Sequence, residues 1–512
     1  MKINKGRKIT SVGKTSKSRR EFLKNTSVAV GAAMGSQLLS SCSYLDHLVM
    51  GDLENKNISV VVLGAGLAGM TAALELKKSK TPFKLFESQA KFGGRVLTLK
   101  NWHQGQSVEL GGEFIKPTHT EVIALCKELR LNLNQLKVNP KYYFSDKFIS
   151  AREWNRFYSQ FNKLVQKQIE QLYSNKIDFL TALNHREYPL AVELDQISVY
   201  QWFERNSFAP WTQYLARRWC EYQFGMDSHY VSALSFMHFW RENKGFFPES
   251  QLQVSGGNIL LLEALFERIS GLVPDKIVKL KHRLVAVERK ERGFRLTFDL
   301  DGQTVQQDTQ YVICALPFSA LREVDGIENI GFGRNKNQLI REMNYGFHSK
   351  IVYGFNKYFW KELKQKSFDS VVTSLETQNF FSYQATSPLF RNKNAPVLTS
   401  LLGGEAGLKG GTHSIDQGLR DLANLSGDYK ADMQNSYIHN WTRTGSYKGS
   451  VSFMSQGQYY RFGQVASQPE CGGLWQFAGE HTSQNFQGTM NGAVASASEA
   501  VRNLLAVQKQ II

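Results

Sequence analysis

The chain has 512 residues, 42% of them hydrophobic, and a formal net charge of +17. That length is too great for one core and implies two or three domains, and no apolar run reaches the ~18 residues of a membrane-spanning helix. Nine basic residues against one acid between Lys2 and Lys24 supply +8 of the charge; the remaining +9 is a modest excess suited to anionic lipid or envelope polymer, and without a binding motif nucleic acid is a poor fit as partner.

The first 41 residues read as a targeting segment rather than as fold. Ser18-Arg19-Arg20-Glu21-Phe22-Leu23-Lys24 matches a twin-arginine export signal, and the apolar stretch Val28 to Leu39 is too short to stay in a bilayer. Leu39-Ser40-Ser41-Cys42 resembles a lipobox, which makes Cys42 the expected site of lipidation and the anchor to a membrane. Residues 42–57 then form a polar tether. Export of this type carries folded proteins, so the expected location is the bacterial cell envelope. Cys126, Cys220, Cys314 and Cys471 include no CxxC pair, so no metal or redox motif is expected, and their pairing stays open.

The chain's organising stretch runs from Ile58 to Arg95. Ile58 to Leu63 is a β-branched, apolar run that reads as a buried parallel strand. Gly64-Ala65-Gly66-Leu67-Ala68-Gly69 follows and opens a helical pattern through Leu76. Gly64 allows the tight turn, Gly66 the approach of a pyrophosphate, and Gly69 close packing of helix on strand. A second strand, Phe83 to Phe86, ends in Glu87, 18 residues beyond Gly69, where an acid takes ribose hydroxyls and disfavours a 2′-phosphate. These parts in register predict a dinucleotide site without choosing between NAD and FAD. Lys91-Phe92-Gly93-Gly94-Arg95 adds a second glycine turn with an arginine fit for phosphate oxygens. With this turn the chain resembles the flavin amine oxidase family (monoamine, polyamine and L-amino-acid oxidases), in which it completes an FAD site.

The resemblance continues to about Leu505. Val108-Glu109-Leu110-Gly111-Gly112-Glu113-Phe114 is similar to the strand and turn that pass the flavin ring. Phe114 stands where L-amino-acid oxidases place a carboxylate-clamping arginine. Glu113 reads either as a surface acid or as a partner for a substrate ammonium. From Tyr142 to Phe247 aromatic-rich amphipathic helices suggest an inserted substrate domain, most of whose aromatics serve as core. His238 falls there as a pocket candidate, although a lone histidine more often plays a structural part. Val254 to Asn258 returns to the cofactor domain, followed by a helix, a hairpin turning at Asp301-Gly302, and the buried strand Tyr311 to Leu316. The family layout implies that backbone near Leu284 meets the adenine.

His348-Ser349-Lys350-Ile351-Val352 resembles the strand that carries the family's active-site lysine. Lys350 is thus the expected catalytic residue, holding a water against flavin N5; desolvation beside an apolar surface should lower its proton affinity. Trp441, then Gly479-Glu480 and Thr489-Met490 in two glycine-bounded turns, resemble the motifs that close the flavin site, with Glu480 near the ribityl phosphate and the Met490 backbone at the N1/O2 edge. There are departures. Ser450 replaces the cysteine that binds flavin covalently in monoamine oxidases, so the expected FAD is non-covalent. Val451 and Thr489 replace the paired tyrosines that guide the amine.

The expected architecture is α/β. A Rossmann-like FAD-binding domain comprises residues 58–140, 250–330 and 438–508, and an interleaved α+β substrate domain comprises 141–249 and 331–437. The implied activity is oxidation of an amine C–N bond by hydride transfer to flavin N5, giving an imine and then a carbonyl product, with O2 reduced to H2O2. An L-amino-acid oxidase and a lipid-anchored flavin-binding protein without turnover are the alternatives. The sequence names neither the amine nor the oligomeric state.

Overall fold

The computed structural model describes residues 60–511 except 138–139, 174–188, 244–249, 272–273, 363–366, 376–378, 383–394, 428–429 and 464. The expected export signal, Cys42 and the expected tether therefore lie outside the described residues.

Val60–Leu63 is the middle strand of a five-stranded, all-parallel sheet, in the order Trp475–Phe477, Tyr311–Cys314, Val60–Leu63, Phe83–Phe86, Val278–Lys279. A parallel sheet buries both faces, and the side-chain alternation shows what covers each one. Val60, Val62, Tyr311 and Ile313 join a core with the helices Leu67–Lys78, Ile259–Ser270 and Met490–Ile511. Val61, Leu63, Val312 and Cys314 join another, to which the antiparallel strands Arg283–Lys290 and Gly293–Leu300 contribute Val287, Leu296 and Phe298. Gly69 is needed where the first helix crosses the strand end, because a Cβ there would run into the Gly64 carbonyl oxygen. The C-terminal helix also caps its neighbour: Asn491 Oδ1 accepts from the Glu121 and Val122 N–H groups at 2.9 and 3.1 Å, at the start of Thr120–Glu128.

A second sheet has seven strands, in the order Met433–Asn440, His348–Phe355, Val397–Gly403, Asn379–Ser382, Ser370–Thr373, Lys141–Phe144, Lys147–Phe148. The boundary expected at 438 falls inside its first strand. That strand pairs with His348–Phe355 from Phe355↔Met433 to Ser349↔Asn440, so it stays with this sheet to its end. All eight residues of His348–Phe355 are buried. Ile351, Tyr353 and Phe355 pack with Leu419, Leu422 and Leu425 of the helix Thr412–Ser426. Val352 packs instead with Val108 and Leu110 of the strand Gln106–Gly111. Lys350 shares the face of Val352, which directs it toward the Gly111-Gly112 turn.

The helix Ala151–Tyr173 buries Phe157, Phe161, Val165, Ile169 and Leu172 at helical spacing. They pack with Trp202, Trp219, Phe236 and Trp240, so this aromatic stripe is core. Cys126, Cys220, Cys314 and Cys471 are all free thiols. Among the described residues no helix is long and apolar enough to cross a membrane.

Candidate active site

The C-terminal ends of the parallel strands open into a cleft of about 310 Å³, the usual position for a ligand in an open α/β sheet. Gly64, Gly66, Gly94, Gly111, Gly112 and Gly479 line it. Two glycine turns are pressed together there: Gly93 N donates to Ala65 O at 2.9 Å, and a Cβ on Gly94 would lie 3.0 Å from Gly66 Cα. The helix Leu67–Lys78 begins at the cleft with Gly66 as N-cap, with no side-chain cap and no acid in its first turn. Its first N–H groups and positive dipole end are therefore offered to an anion. Glu87 stands at the rim; Oε2 accepts from Ala65 N at 2.8 Å and Oε1 from Gln89 N at 2.8 Å. Burial raises its carboxyl above the ordinary value despite these donors.

The C-terminal segment is fastened to these turns. Trp441 Nε1 donates to Leu110 O at 3.0 Å, its indole lying where a Cβ on Gly111 would go, and Tyr447 OH donates to Gly94 O at 3.0 Å. Arg95 Nη1 donates to Ser450 O at 2.7 Å and to Glu480 Oε1 at 2.6 Å. Glu480 also accepts from Ser452 Oγ at 2.6 Å and from Gly488 N at 2.9 Å, both on Oε2. Burial opposes its charge, but Arg95 and the hydrogen-bond donors outweigh that and hold its carboxyl below 4.5.

Lys350 also lines the cleft and is 2% exposed. Nζ donates to Glu113 Oε2 at 2.5 Å. A carboxylate thus faces this lysine across the cleft, a neighbour its own segment does not indicate. Glu113 is neither a simple surface acid nor an unengaged receptor for an ammonium. Phe114, Val451, Thr489 and Met490 line the cleft as well. Val451 and Thr489 are not aromatic, and the aromatic surface there comes from Phe114, Tyr222, Trp441 and Tyr447.

Four sequence candidates do not line the cleft. Ala65 acts through its N–H to Glu87, and Gly69 lies beneath Gly64. Leu284 packs against the core shared with the antiparallel sheet; His282, two residues earlier, makes the nearby contact, with its N–H donating to Glu87 O at 2.8 Å. His238 is held by Tyr173 OH at 3.0 Å and Gln484 O at 2.8 Å, and it borders a separate cavity of about 10 Å³, so the pocket assignment does not hold for it. Sequence reasoning missed Lys116, His119, Gln251 and His348, all in the lining. Burial holds the His348 imidazole down to about 4 and neutral; Nε2 faces the Glu221 carbonyl and Nδ1 faces Ser450 Oγ, each at 2.7 Å. The signal for Lys116 was a cation in the otherwise apolar run Phe114-Ile115-Lys116.

A family model of flavin-containing amine oxidoreductases matches residues 67–505. The chain belongs to this family. It is 24% identical to bovine amine oxidase [flavin-containing] A over 465 residues, covering 87% of this chain and 84% of that one. It is 25% identical to a rice lysine-specific histone demethylase 1 homolog over 473 residues, covering 87% of this chain and 57% of that one. Among solved structures, cyclohexylamine oxidase from Brevibacterium oxydans IH-35A has the same fold, with a TM-score of 0.74 at 18% identity, covering 89% of this chain and all of that one. Wild-type putrescine oxidase bound to putrescine gives 0.73 at 18% identity, covering 88% and 99%.

The protein is thus a flavin-dependent amine oxidoreductase with FAD as its cofactor. The uncapped helix start, the paired glycine turns and the Glu87 carboxylate form a donor and acceptor set that suits a dinucleotide. The FAD is non-covalent: Ser450 lines the cleft and no cysteine does among the described residues, so a cysteinyl link to the flavin has no partner there. Because Glu480 is more acidic folded than unfolded, its contribution is present above pH 4.5 and lost as pH falls through its folded value. Glu480→Ala is expected to cost about 3–5 kcal/mol at neutral pH, since it leaves Arg95 without its partner. Thermal midpoints across pH check this: the variant should converge with wild type in acid, and a constant difference would exclude the ion pair as the cause.

Proposed function

We propose that this protein is an exported FAD-dependent oxidase acting on the C–N bond of primary or secondary amines. The observation that carries the reading is the convergence of Gly66, Arg95, Glu480, Met490 and Lys350 on one cleft. In this reading the helix start at Leu67 and Arg95 hold the phosphates, Glu87 the ribose, and the Gly111-Gly112 turn and the Met490 backbone the isoalloxazine. FAD held there would supply the two-electron redox chemistry, so that amine, O2 and water would become carbonyl compound, ammonia or a smaller amine, and H2O2. Lys350, fixed by Glu113, positions a water at the reacting edge. The apolar wall of Phe114, Tyr222 and Leu401 excludes bulk water and orients the carbon chain.

Peroxide release over a panel of amines, polyamines and amino acids tests the function. Amine-dependent peroxide is expected; turnover of amino acids alone supports the L-amino-acid oxidase alternative, and a coloured protein that turns over nothing supports the flavin-binding one. Lys350→Met should slow reoxidation by O2 at least about tenfold, about 1.4 kcal/mol of barrier, with FAD retained; an unchanged rate in stopped-flow removes Lys350 from that step.

We further propose export by the twin-arginine route and anchoring through lipidated Cys42. The motifs around Arg19-Arg20 and Leu39 to Cys42 support this. Cys42→Ser should move the protein from the membrane to the soluble fraction on cell fractionation, and an unaltered distribution would end the proposal.

A further inference from the structure

The end of the cleft beyond Glu113 contains polar groups that simple amine oxidation does not use. Ile115 and Leu252 form an antiparallel bridge, exchanging N–H···O bonds of 2.8 and 2.7 Å. That register sets Lys116 opposite Gln251. A non-hydrogen-bonded pair of this kind has Cα atoms about 4.5 Å apart and side chains on one face. Both residues line the cleft. Gln251 is 1% exposed, and neither Nε2 nor Oε1 has a hydrogen-bond partner among the described residues. Leaving both ends of an amide unmade in the interior is costly, so this side chain is built to meet a polar ligand.

Lys116 narrows what that ligand is. Its Nζ lies 4.5 Å from the Phe239 ring centroid, and its backbone N–H donates to His119 Nδ1 at 3.2 Å. Burial pushes the ammonium down to about 7, and an anion beside it would restore its charge. An ammonium and an amide N–H2 side by side are both donors and suit the two oxygens of a carboxylate. The same lysine repels a second ammonium. Phe114 occupies the place of a clamping arginine, and Lys116, two residues on, supplies the cation that Phe114 lacks.

We infer that Lys116 and Gln251 bind a carboxylate of the substrate, so that the amine oxidised here also carries an acid group, and diamines are poor substrates. This rests on the amine-oxidation reading and narrows its substrate class. The test uses the FAD-loaded enzyme and four six-carbon compounds: hexylamine, 6-aminohexanoate, L-norleucine and 1,6-diaminohexane. 6-Aminohexanoate should exceed hexylamine in kcat/KM by at least about tenfold and the diamine should fall below it, whereas turnover of L-norleucine alone overturns the amine-oxidation reading in favour of the L-amino-acid oxidase alternative. Lys116→Met and Gln251→Leu should each reduce that preference mainly through KM, while Lys116→Arg keeps most of it. Hexanoate, which has no amine to oxidise, provides an independent reading: it should perturb the flavin absorbance of wild type, with binding weakened about tenfold in Lys116→Met. A preference for hexylamine or the diamine, or hexanoate binding unchanged by both substitutions, overturns the inference. Should none of the four compounds be oxidised, the amine-oxidation reading fails on its own, and the hexanoate titration still decides whether the carboxylate site exists.

Discussion

The Arg95–Glu480 ion pair is the contact on which the cleft depends. It joins residues 385 positions apart, one in the turn after the second strand of the parallel sheet, the other at the end of its last strand. Neither charge is tolerable in the interior alone. Both persist because their other bonds are made: Arg95 also donates to Ser450 O, and Glu480 also accepts from Ser452 and Gly488. The pair thus draws three separate glycine-containing segments to one point. Trp441 and Tyr447 fasten the same segments through backbone carbonyls, which adds shape without adding charge.

The second sheet adds the reactive side chain to this frame. Lys350 lies on a strand buried along its whole length, and its face is set by Val352 packing on Val108 and Leu110. Its position is therefore fixed by strand periodicity and core packing before its ion pair with Glu113 is considered. That pair leaves the lysine and the carboxylate each with a defined partner, so the region beside the Gly111-Gly112 turn is polar yet close to neutral.

Local features were legible in the sequence where one segment contains its own physical reason. The β-branched run ending at Leu63, the glycine turn after it and the acid at 87 belong together at short range, and the structure assembles them around one cleft. The aromatic stripe from Trp154 to Leu164 was readable as core for the same reason. Pairings across long separations were not legible. Nothing in the neighbourhood of Glu113 announces Lys350, 237 residues away. Gln251 and Gln253 alternate with Leu252 and Val254 and look like the wet face of an edge strand, whereas pairing with Leu133–Lys137 and the bridge to Ile115 bury them. Leu284 was placed by family layout and leans instead on a neighbouring core, while His238, a lone histidine on an aromatic-rich helix, is tied to Tyr173 and Gln484. The boundary at 438 failed because composition does not change along a strand that continues to Asn440.

The parallel sheet takes one of its outer strands, Trp475–Phe477, from the last tenth of the chain, and the helix after it completes the wall of the cleft. A nascent polypeptide still held on the ribosome has the first glycine turn long before it has Glu480. Pigment capture must therefore follow synthesis of Glu480 and the helix after it, and colour reports on synthesis through that region as well as on folding. A chain cut short of Glu480 would lack both the ion pair to Arg95 and the wall formed by the last helix, however well its earlier segments pack.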